Sequence, residues 1–144
     1  MKKQDVLVEG PIKSSLISEY INTLSDNTSS GAHSVFLGQV RNDKINERTV
    51  EAIEYSAYKD MVEKEAVKIR DTVMAAYSDV NDVVILHSTG IVKAGELSLF
   101  VLVTAGHRDQ ATRACRDTVE MIKENYPVWK KELFDDDSHR WKNH

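Results

Sequence analysis

Two apolar runs, Val83 to His87 and Leu97 to Thr104, constrain the fold of this 144-residue chain more than any other feature. They are its most β-like segments. Gly90 and the Ala94-Gly95-Glu96 turn between them predict a broad hairpin. Any sheet the chain forms must accommodate that antiparallel pair.

The other segments fall around it. Val6-Leu7-Val8 reads as a short strand closed by a turn at Gly10-Pro11. Ser14 and Ser15 can cap a helix in which Leu16, Ile17, Tyr20, Ile21 and Leu24 recur at helical spacing. A polar loop, Asp26 to Gly31, leads to Ala32 to Val40, apolar enough for a buried strand. Arg41 to Thr49 then holds five charged residues and reads as an exposed loop. In Val50 to Tyr58, Ile53, Tyr55 and Ala57 alternate with Glu54 and Ser56, as a strand requires. A helix from Lys59 to Tyr77 carries Met61, Val62, Ala66, Ile69, Val73 and Met74 on one side.

A last helix is expected from Asp109 to Asn125, with Ala111, Ala114, Cys115, Thr118, Val119 and Ile122 as its buried stripe. Pro127 stops it, and Val128 to Phe134 forms a further strand or an extended arm. Helices and strands mix without strict β-α-β repetition. The expected fold is therefore α+β, a mainly antiparallel sheet with flanking helices, in one domain over residues 1–144.

Composition narrows the function classes. With 41% hydrophobic and 29% charged residues, the chain has an ordinary soluble make-up. A net charge of −4 argues against a sequence-independent nucleic-acid binder. No run approaches the roughly 20 apolar residues of a membrane span, and the amino terminus lacks a signal-peptide core. A cytoplasmic protein without membrane or nucleic-acid partners is expected. One cysteine, Cys115, supports neither an internal disulfide nor a structural zinc site, and the five histidines lack ligand spacing; no metal is expected. Phosphate-loop, dinucleotide and nucleophile-elbow motifs are absent too.

Three basic stretches remain, each with two readings. In Gly38-Gln39-Val40-Arg41-Asn42, an arginine leaves a strand either to grip an anion or simply to open a solvated loop. In Thr104-Ala105-Gly106-His107-Arg108-Asp109, a strand passes into a helix whose first N–H groups favour an anion. There His107 and Arg108 either flank such an anion or are structural, with Asp109 as the cap. In Lys123-Glu124-Asn125-Tyr126-Pro127-Val128-Trp129-Lys130-Lys131-Glu132, the proline break can fold two amines into one pocket walled by Trp129. A lysine there would have a lowered pKa and could act as proton donor or nucleophile. Alternatively, Lys123 complements the helix dipole and Lys130 and Lys131 are solvated.

Read jointly, several segments resemble the large, catalytic subunits of the molybdopterin synthase family. They are Val35 to Asn42, Glu54 to Tyr58 with Met61, His87-Ser88-Thr89-Gly90, Thr104 to Arg108, Ile122 to Glu132, and Arg140-Trp141. The resemblance implies an α/β hammerhead fold and conversion of cyclic pyranopterin monophosphate to molybdopterin. Two sulfurs would come from the C-terminal Gly-Gly thiocarboxylate of a small ubiquitin-like carrier subunit, with no cofactor. It also implies a homodimer of large subunits within a heterotetramer. The family's substrate contacts fall on Gln39, Val40, Arg41, His107, Arg108, Lys123, Lys130, Lys131 and Glu132, with Lys123 and Lys130 catalytic. The position of Gln39 is often basic in the family, and many members continue beyond the point that corresponds to His144. A non-catalytic module binding an anion or a partner's tail is the alternative.

Overall fold

The computed structural model describes residues 6–142. Its strands are β1 (Leu7–Glu9), β2 (Ala32–Gln39), β3 (Lys44–Ile45), β4 (Arg48–Ala57), β5 (Val80–Lys93), β6 (Leu97–Ala105), β7 (Val128–Phe134) and β8 (His139–Lys142). Three helices, α1 (Ser14–Asn22), α2 (Lys59–Ala76) and α3 (Arg108–Asn125), complete it, with a short 3₁₀ turn at Leu24–Asp26. The main strand order is β2-β6-β5-β4-β7-β8, and all of these pairings are antiparallel. Strand β1 joins β5 in parallel, and β3 pairs with β4. The expected α+β class and mainly antiparallel sheet are both present.

The predicted hairpin is β5–β6, and it is longer than its apolar runs. The first half of β5 pairs with β6 through His87↔Leu99, whereas residues 90–93 pair with β4. Gly90 sits at the changeover with φ +83°, a conformation that favours glycine. Val83 to Leu86 of β5 and Leu99 to Val103 of β6 are unbroken apolar runs because both faces are covered there. On one face α1 lays Leu16, Ile17 and Tyr20 over Val84, Leu86, Phe100 and Leu102. On the other, α2 and α3 enclose a larger core with Val83, Ile85, Val101 and Val103.

Helix α3 buries all six residues of its expected stripe. Other expectations need correction. Neither Ser14 nor Ser15 caps α1; Lys13 holds the N-cap position and no side chain caps it. Ile21 and Met61 are exposed. Strand β2 lies at the sheet edge and is covered on one face, so alternate residues such as Phe36 turn inward while Val35 and Leu37 face out. The charged stretch after β2 contains a tight hairpin, β3–β4, with Asn46 and Glu47 at positive φ. The run after Pro127 is a sheet strand, with β8 beside it.

Candidate active site

A cavity of about 380 Å³ opens where the end of β2, the C-terminal end of α3 and strands β4, β5 and β7 meet. Its position follows from local rules. Strand β7 alternates, so Val128, Lys130 and Glu132 point to the cavity while Trp129 and Lys131 take the other face. Pro127 ends α3 just beyond Lys123 and turns the chain back along β4, where Lys130 lies opposite Tyr55. The helix end and the strand thus deliver Lys123 and Lys130 to one space, and β8 adds Lys142.

The electrostatics are those of crowded cations. Burial, then the neighbouring ammonium groups of Lys123 and Lys142, push Lys130 down to about 8. Lys123 is also lowered, first by lost hydration and then by Lys142 and Arg41, with Glu120 opposing. Such a cluster is poised for an anion, which would relieve the mutual repulsion. Arg41 is mostly exposed at the mouth and pairs, among the described residues, with Asp43 at 3.3 Å, a surface pair of little strength that leaves the guanidinium available. Gln39 lies beside it on the rim. Val40 is buried; its N–H donates to the Glu96 carbonyl and its own carbonyl accepts from Gly95, so its backbone anchors the rim to the β5–β6 turn.

Glu132 is 2% exposed and accepts two hydrogen bonds from Arg140, at 2.8 and 3.1 Å. The carboxylate is thereby matched from β8 rather than by the lysines.

Sequence reasoning overlooked the floor. His87 is buried, with Tyr55 edge-on at 5.3 Å and Tyr126 at 5.9 Å between ring centres. Its Nδ1 lies 2.7 Å from the Ser88 carbonyl. A carbonyl only accepts, so Nδ1 carries the proton and Nε2 the lone pair. Burial holds the ring at a pKa of about 4, with Lys130 and Lys123 acting in the same direction against the Ser88 bond, so it is neutral at physiological pH. The Tyr55 hydroxyl donates to Ser98 Oγ, and burial raises the pKa of both Tyr55 and Tyr126. The usable signal was the inward phase of Tyr55 in the alternation of its strand. For Lys142 there is none, because the four residues of β8 carry no apolar alternation.

Three expected site residues lie elsewhere. Lys131, across β7, sits 3.5 Å from Glu54 and against the Trp141 ring. His107 and Arg108 start α3, about 22 Å along the axis from Lys123 at ~1.5 Å per residue. The helix start already holds an anion: Asp79 accepts the His107 N–H at 2.7 Å and lies 3.2 Å from its Nδ1. Asp109 therefore does not cap α3; it pairs with Arg113 one turn on. Nor is Trp129 the pocket wall, since it packs outside against Tyr58 while Tyr55, Tyr126 and Val128 form the apolar lining. Cys115 is buried, as expected of a core thiol. Among the described residues, no cluster of potential metal ligands occurs and no helix is long and apolar enough to cross a membrane.

Comparison with known proteins adds the family. Residues 9–125 match the MoaE protein family model. The molybdopterin synthase catalytic subunit of Nostoc sp. is 37% identical over 123 residues, covering 85% of this chain and 74% of that protein. The crystal structure of molybdopterin synthase from Staphylococcus aureus superposes over 100% of both chains with a TM-score of 0.86 at 32% identity. A Helicobacter pylori structure, described as a complex of subunits 1 and 2 of molybdopterin-converting factor, shares the fold (TM-score 0.80, 19% identity, 96% of this chain and 89% of that one). The chain belongs to the MoaE protein family, the catalytic subunits of molybdopterin synthase, a sulfur-transferring enzyme of molybdenum cofactor biosynthesis.

Proposed function

We propose that this chain converts cyclic pyranopterin monophosphate to molybdopterin, with Lys123 and Lys130 as its working amines. The sulfur would arrive as a C-terminal thiocarboxylate on a small ubiquitin-like carrier. The observation that carries the reading is the convergence of Lys123, Lys130 and Lys142 on one cavity, with Arg41 at its mouth. A thiocarboxylate and a cyclic phosphate are both anions, and opening the phosphate ring develops further negative charge for such cations to offset. A cavity of about 380 Å³ favours a tail ending in glycines, which lack side chains to obstruct entry. The reading is tested by mixing the purified chain with thiocarboxylated carrier and cyclic pyranopterin monophosphate. Dithiolene product is expected; tight carrier binding without product would favour a non-catalytic tail-binding module.

The pKa of Lys130 sets a pH dependence. The free amine titrates near 8, so below that pH the pocket carries its charge and above it the charge is lost. A bound anion stabilises the ammonium and raises its pKa in the complex. Carrier affinity therefore declines once the pH passes about 8, by up to roughly tenfold per unit, and levels off above the raised pKa. Titration calorimetry across this range reads the effect. Lys130→Arg, permanently charged, should flatten that part of the profile.

His107 and Arg108 belong to the same proposal through a homodimer. They are too distant to reach Lys123 of their own chain, so they would serve the pocket of the partner copy. Lys123→Ala and Arg108→Ala chains, each poorly active alone, should then complement each other. Random re-association makes half the dimers mixed, and each mixed dimer has one intact site. About one quarter of native activity should return on mixing. No recovery after confirmed subunit exchange would confine Arg108 to another role.

A further inference from the structure

The cavity floor has one feature that anion binding does not use. His87 Nε2 has no hydrogen-bond partner among the described residues, but it is not sealed off as the Ser88 and Tyr126 hydroxyls are. The ring is fixed by the Ser88 carbonyl and two tyrosines, and it lines the cavity. Among the described residues, several other side-chain acceptors there are at least partly engaged, and the Gln39 amide lies at the rim rather than on the floor. Glu132 Oε1 receives Arg140 twice, Asp43 pairs with Arg41 at the mouth, and Ser98 Oγ receives the Tyr55 hydroxyl. His87 thus offers a preset neutral lone pair in a pocket of donors.

Resting on the reading above, we infer that His87 Nε2 accepts the backbone N–H of the carrier's terminal residue. The reason is covalent geometry. That N–H sits one carbon from the thiocarboxylate, so a tail whose sulfur-bearing end reaches Lys123 and Lys130 must bury its last amide with it. A buried N–H without an acceptor is costly, and ammonium groups cannot accept one. His87 supplies the missing acceptor. It makes the site selective for a peptide-borne thiocarboxylate over a simple thioacid, and for a terminal residue that keeps its N–H.

The test pairs a change in the ligand with one in the protein. A semisynthetic carrier ending in N-methylglycine replaces this donor with a methyl group, and the His87 variants separate the lost hydrogen bond from the added bulk. With the native chain it should bind, and transfer sulfur at subsaturating concentration, at least about tenfold less well than the glycine carrier. His87→Phe keeps an aromatic ring for the tyrosines to pack against but removes the acceptor. It should lose a similar factor with the glycine carrier and little more with the N-methyl carrier. His87→Gln, which restores an acceptor oxygen, should recover part of the loss. Equal binding of both carriers by the native chain overturns the inference, as do two losses that multiply independently. If His87→Phe does not fold, the native comparison alone can still overturn it. If the native chain forms no product with the glycine carrier, the proposed function fails instead, and the two outcomes remain distinct.

Discussion

Lys123→Ala is expected to lower single-turnover formation of dithiolene by about 10²- to 10⁴-fold, the range for removing a positioned proton-transfer group. The fold should survive, and the weaker carrier binding that follows from losing one pocket cation is offset by saturating carrier. Lys123 is exposed in the last turn of α3, and its removal opens no hole in the buried stripe. Rapid-quench measurement on the preformed complex separates chemistry from association. A second readout distinguishes a chemical role from a merely steric one. Part of the depression of Lys130 comes from Lys123, so deleting that like charge should move Lys130 upward from about 8 and carry the alkaline limb of carrier binding with it. A near-native single-turnover rate would remove Lys123 from the chemistry.

Arg140→Ala should produce the largest loss of stability among the substitutions considered. It strips the partner from Glu132, whose carboxylate is almost wholly buried, whereas the arginine is half-exposed. Leaving a buried charge uncompensated typically costs about 3 kcal/mol, and sometimes more. For a domain of this size that is a fall of roughly 10 °C in Tm. The opposite change should be mild. Glu132→Gln keeps the shape and an acceptor, and the freed guanidinium can be hydrated. The double substitution should then be more stable than Arg140→Ala alone, a non-additivity that thermal unfolding of the four proteins would reveal. If Arg140→Ala and Glu132→Gln shift Tm equally, the asymmetry of burial is not what governs the pair.

Much of the fold was legible because its signals are local. The β5–β6 hairpin showed in two apolar runs and the glycines between them. The stripe of α3 showed in six residues at helical spacing, all of them buried. Both depend on periodicity and need no knowledge of neighbours. The site was legible only in part, because convergence is a tertiary property. Lys123 and Lys130 could be suspected from the proline between them. Two-residue alternation should have warned that Trp129 and Lys131 could not face the same way as Lys130. His87 was hidden for a different reason: a histidine inside an apolar strand carries no mark of function until its surroundings are known. The separation of His107 and Arg108 from Lys123 was arithmetically present in the helix length, but the family resemblance grouped them and masked the distance.

That helix length has a consequence for how the gene can vary. Helix α3 is a ruler graduated in steps of about 100° and ~1.5 Å per residue. One inserted residue would swing Lys123 out of its cavity while leaving His107 and Arg108 in place. Four would bring it back nearly into phase but displaced by ~6 Å along the axis. Insertions and deletions within Arg108–Asn125 should therefore be excluded far more strictly than substitutions on its exposed side. Length polymorphism should instead collect in the surface loops.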